Sequence, residues 1–170
     1  MPVEPVVLLA CGNTLRSDDG VAWHIGVAIE EDPLLATVKV IFTQQLLPEH
    51  AHMIKDAECV LFLDCSAVSE PGKVSTIALK PAASLPRILT HHLDPASLLR
   101  LTQDIYGQSP GIAYAITVGG GSFAMGEQLT GSVEAAIAGA VQAVRHVLLE
   151  TGRIRNCSDL PHSGIGRDFR

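Results

Sequence analysis

The stretch VVLLACGNTLRSDDGVAWHIGVAIEE, residues 6–31, changes character halfway along. Val6 to Ala10 is a short continuous apolar run, as expected for a strand buried on both faces. It ends in Cys11-Gly12-Asn13, a turn composition. From Asp18 to Glu31 the pattern becomes helical, with Val21, Ala22, Ile25, Ala28 and Ile29 on one face and Ser17 or Asp18 available as a cap. A buried strand running directly into a helix is the opening of a βα unit, and so of a largely parallel sheet.

The rest of the chain repeats this alternation. Strands are predicted at Val38 to Phe42, Cys59 to Leu63, Val74 to Leu79 (beside the third strand) and Ile112 to Val118. Helices are predicted from Pro48 to Asp56, from Asp94-Pro95 to Tyr106 and from a Thr130 cap onward. Asp-Pro is a strong helix start, and Gly107 a natural stop. The last helix carries the stripe Val133, Ile137, Val141, Val144 and Leu148. The expectation is a single-domain α/β fold with a mainly parallel five-stranded sheet and helices on both faces, spanning residues 1–150. Residues 151–170 lose periodicity and read as a loosely ordered tail, dispensable for folding.

Composition narrows the function. With 47% hydrophobic and 18% charged residues in 170, the chain is globular. A formal charge of −6, without a basic run, argues against nucleic acid. Apolar stretches shorter than the ~20 residues of a membrane span, and an N-terminus lacking a basic segment, point to a cytoplasmic protein. Cys11, Cys59, Cys65 and Cys157 have no CxxC spacing and read as reduced thiols.

Ligands of open α/β sheets gather outside the carboxyl ends of the strands. Three segments are expected there: the turn from Gly12 to Gly20, Asp64 after the third strand, and Thr90-His91-His92 before the Asp94 helix. Each has an ordinary reading: Asp18-Asp19 as helix-start acids, Asp64 as a loop acid, the histidines as a surface pair. Together, two carboxylates and an imidazole suit a hard-to-borderline metal, with positions left open for a substrate. A phosphate loop is disfavoured, because there is no GxGxxG or GKS/T and acids stand where cations are needed. Neither HExxH nor GxSxG is present. A Cys65–His nucleophile is the weaker alternative.

The pattern Gly12-Asn13-x-Leu15-x-x-Asp18-Asp19-Gly20 resembles the N-terminal signature of the hydrogenase maturation proteases. So do Gln44-Gln45-Leu46-Leu47-Pro48-Glu49, Leu61-Phe62-Leu63-Asp64, His91-His92-Leu93-Asp94-Pro95-x-x-Leu98-Leu99 and Gly126-Glu127-Gln128-Leu129-Thr130-x-x-Val133, in the same order along about 150 residues. The usual GxGN turn reads Ala10-Cys11-Gly12-Asn13 here. The resemblance implies an endopeptidase, labelled aspartic-type, that removes the C-terminal extension of a [NiFe] hydrogenase large-subunit precursor after nickel insertion. It implies that Asp19, Asp64 and His91 (His92 as the alternate) grip a nickel supplied by the substrate, and that Asp19 or Asp64 serves catalysis. It further implies no organic cofactor and a monomer. The competing readings are a non-enzymatic nickel-sensing or metallochaperone domain and a cofactor-binding module.

Overall fold

The computed structural model describes residues 6–85 and 93–154. Five strands form one sheet: β1 (Val6–Cys11), β2 (Val38–Thr43), β3 (Cys59–Ser66), β4 (Val74–Ala78) and β5 (Ile112–Gly119). Their spatial order is β2-β1-β3-β5-β4. All neighbours are parallel except β4, which runs antiparallel on the outer side of β5. The expectation that the fourth strand lies beside the third is corrected here. Its apolar residues mark it as a strand, but nothing in that pattern names a neighbour, and β5 occupies the place next to β3 with Asp64 opposite Thr117.

Successive residues of a strand face opposite sides. Leu8, Ala10, Leu61, Leu63 and Ile116 therefore pack with α1 (Val21–Glu30) and α4 (Gly131–Glu150). Val7, Leu9, Val60 and Phe62 pack with α2 (His50–Ile54) and α3 (Pro95–Tyr106). Two covered faces explain why β1 and β3 are continuous apolar runs rather than alternating ones. Asp94 caps α3 as expected, accepting from Ser97 N at 2.9 Å, and Gly107 ends it with φ 72°. Such a cap contributes about 1 kcal/mol.

The first helix differs from its expected bounds. Ser17–Gly20 is a 3-10 turn, α1 begins at Val21, and neither Ser17 nor Asp18 caps it. The second helix is likewise shorter than Pro48 to Asp56. By length and composition α4 would suffice to cross a bilayer, which qualifies the expectation that no stretch does. In this fold one face of α4 covers the sheet, burying Val133, Ala140, Val144 and Leu148.

Thr151 to Ile154, assigned above to the tail, are held in place. Arg153 N donates to Leu148 O at 2.7 Å, Arg153 pairs with Glu58, and Ile154 packs against the core. Truncation after Glu150 should therefore lower stability by about 1–2 kcal/mol, from one half-buried aliphatic side chain and one partly exposed ion pair. The melting temperature should fall by roughly 2–8 °C. A melt indistinguishable from the full chain would show these contacts to be idle. Residues 155–170, including Cys157, lie outside the described residues.

Candidate functional site

A cleft of about 300 Å³ opens at the carboxyl ends of β1, β2 and β3. Asp19 and Asp64 both line it, together with Gln44, Gln45, Leu93 and Asp94. The two acids come from different strand ends, as the sheet rule requires.

Asp19 is brought there by the turn after β1. Gly12, with φ 152°, is pressed so closely against the turn that a β-carbon there would collide with the Asp19 carbonyl oxygen. Only glycine lets the strand end pass beneath the acid. Asn13 N donates to Asp19 Oδ2 at 2.9 Å, which orients the carboxylate, and Asn13 Oδ1 accepts from Leu15 N at 2.9 Å. Asp64 stands within β3, one residue after the buried run. Its carboxylate takes a 2.7 Å bond from Cys65 N and remains open to solvent on the cleft side. The surrounding protein nevertheless desolvates it and pushes its pKa up to about 6; the Cys65 bond opposes this, and the nearby charge of Asp19 adds to it. That coupling reflects the closeness of the two acids.

Asp18 does something else. It is fully buried, and its carboxylate gathers Gly121 N at 2.8 Å, Ser122 N at 2.9 Å, Thr130 N at 2.7 Å and Thr130 Oγ1 at 2.8 Å. Burial alone would raise its pKa; the bonds from Thr130, Gly121 and Ser122 outweigh burial and hold it below the ordinary value. Thr130 precedes α4, but its hydroxyl turns to Asp18 instead of capping the helix. Ser17 joins the same seam, donating through N to Gly126 O at 2.7 Å and through Oγ to Gln128 O at 2.8 Å. The acid pair thus divides its work: Asp18 ties the turn to the β5–α4 loop, and Asp19 faces the cleft.

His91 and His92 lie outside the described residues. Leu93, covalently next to His92, lines the cleft, and its N–H donates to Leu46 O at 3.3 Å. Asp94 is occupied as the α3 cap. Among the described residues no group of three metal-ligating side chains is assembled.

The thiols are poor nucleophiles. Burial pushes Cys11 up to about 12, helped by the charge of Asp64, and Cys65 to about 12, helped by Asp19, Asp64 and Asp18. Neither supplies the thiolate that a Cys–His mechanism needs. The Gln44-Gln45 wall carries no catalytic motif in the sequence. These residues directly follow β2, neighbour of β1, and so sit at the same sheet edge as Asp64.

No family model and no curated protein matches the chain. Solved structures do. A hydrogenase maturating endopeptidase, HybD from E. coli, is similar with a TM-score of 0.71 and 22% identity, over 91% of this chain and 99% of that one. A hydrogenase 2 maturation peptidase from a Thaumarchaeota archaeon has a TM-score of 0.63 and 26% identity, over 88% and 99%. The [NiFe] hydrogenase maturation protease HybD from Thermococcus kodakarensis has a TM-score of 0.64 and 18% identity, over 84% and 98%.

Proposed function

We propose that this chain, whose fold is that of the hydrogenase maturation proteases, is an endopeptidase of that kind. It removes the C-terminal extension of a [NiFe] hydrogenase large-subunit precursor after nickel insertion, acting as a monomer in the cytoplasm. One observation carries the reading: Asp19 and Asp64, from separate strand ends, open into a single cleft whose wall continues into Leu93, directly after His91-His92.

Nickel is here part of the substrate. Asp19, Asp64 and His91, or His92 in its place, grip it and bring the scissile bond to the cleft. Carboxylates and imidazole are donors suited to nickel, and an incomplete set leaves coordination positions for the precursor's own ligands. The nickel polarises the scissile carbonyl or the attacking water. One of the two carboxylates takes the proton of that water. Asp64 is favoured for this part, because desolvation by the surrounding protein, with the nearby charge of Asp19 adding to it, raises its carboxyl above the ordinary carboxylate range.

The test compares matched precursors with and without nickel. Efficient cleavage of the loaded form and neglect of the empty one is the expected result. Equal cleavage of both would remove nickel from the recognition step. Tight binding of the loaded form without cleavage would select a metal-holding chaperone instead.

A further inference from the structure

Breaking an amide places negative charge on its carbonyl oxygen, and hydrogen-bond donors aimed at that oxygen are usually the largest single source of rate. This cleft is short of them. Among its described lining residues the charged side chains are all acids, Asp19, Asp64 and Asp94. Several neighbouring backbone donors are already engaged: Gly12 N with Thr43 O at 3.0 Å, Asn13 N with Asp19, Cys65 N with Asp64, and Leu93 N with Leu46 O. The only amide side chains among those lining residues are Gln44 and Gln45.

The segment carrying them is pinned at both ends. Thr43 O accepts from Gly12 N and from Trp23 Nε1 at 3.3 Å, and Thr43 Oγ1 donates to Gln45 O at 2.8 Å. Leu46 is buried, and Leu47 N donates to His50 Nδ1 at 2.9 Å. Gln44 is exposed, whereas Gln45 is half-buried between these anchors. A donor mounted on a fixed segment costs little reorganisation when charge develops.

We propose that the side-chain amide of Gln45 donates to the oxyanion that forms on the scissile carbonyl oxygen during hydrolysis. The assignment rests on the protease reading above. In the step, water adds to the carbonyl carbon, one water proton passes to a cleft carboxylate, and the carbonyl π pair moves onto oxygen, where Gln45 meets it. The pair then returns, the C–N bond breaks, and the departing amine takes the proton.

The experiment uses full-length enzyme and nickel-loaded precursor, with Gln45→Met and Gln45→Glu as variants. Both remove the donor at similar length, and the charged Glu keeps a polar side chain if Met disturbs the loop. Loss of one oxyanion donor should lower kcat about 100-fold. KM should stay within about 3-fold, because the bond forms only in the transition state. Melting and retention of the loaded precursor should match wild type. Wild-type kcat in either folded variant, or a raised KM with unchanged kcat, overturns the role of Gln45 and leaves the protease reading intact. A wild-type enzyme that cleaves no precursor overturns both.

Discussion

Asp19→Ala should suppress processing of nickel-loaded precursor by at least about 100-fold in kcat/KM, or ~2.7 kcal/mol at ~1.36 kcal/mol per tenfold. The side chain is half-buried at the cleft, outside either core cluster, so the fold should survive. Removing it frees Asn13 N from its acceptor, a loss of about 1 kcal/mol that the solvent beside the cleft partly offsets. Asp19→Asn separates the two roles. Its carbonyl still accepts from Asn13 N, but it lacks the charge that grips a cation. The expected result is a wild-type melt with processing as poor as in Asp19→Ala. Full activity in either variant would remove Asp19 from the mechanism.

The adjacent residue should behave in the opposite way. Asp18→Ala strands four donors, three backbone N–H groups and the Thr130 hydroxyl, at a position with no solvent exposure. Bonds to a charged acceptor contribute ~1.5–3 kcal/mol each, and some rehydration is expected, so a loss of about 3–5 kcal/mol follows. For a chain of this size the melt should drop by roughly 6–20 °C. Asp18→Asn should be nearly as harmful, since its NH2 would confront other donors. The pH dependence has a defined sign. A carboxylate whose folded pKa is depressed stabilises above its unfolded value of about 3.8, and that stabilisation disappears as pH falls through the folded pKa. Wild type should therefore lose stability below about pH 4, and this part of the acid response should be absent in Asp18→Asn. Calorimetry across that range decides it. A variant melting within about 1 °C of wild type would show the seam to be unimportant.

These two acids mark where sequence stops speaking. β1, β3 and the α3 cap are legible because their causes are local: an apolar run covered on both faces, an Asp beside a Pro. Asp64 is legible by position at a strand end. The division between Asp18 and Asp19 is not, because Asp18 finds its partners 103 to 112 residues away. The same distance hides Thr130, which looks like a helix cap and is a ligand of Asp18. β4 was legible as a strand but not as a neighbour of β5, since apolar content carries no address. Gln45 is silent in the sequence because a neutral amide becomes chemically conspicuous only when the surrounding cleft is seen to hold acids.

The seam between the first turn and the β5–α4 loop also sets a schedule. Synthesis proceeds from the N-terminus, so residues 12–20 emerge long before Gly121 and Thr130 exist to hold Asp18. Closing a loop of that size is entropically late, and contacts of such sequence separation slow folding. A nascent chain can shape β1 and α1, but Asp18 lacks its partners, and the turn that carries Asp19 is not tied down, until the last strand has passed. A polypeptide halted before Gly121 should therefore fail to process the precursor, however well its first half has folded.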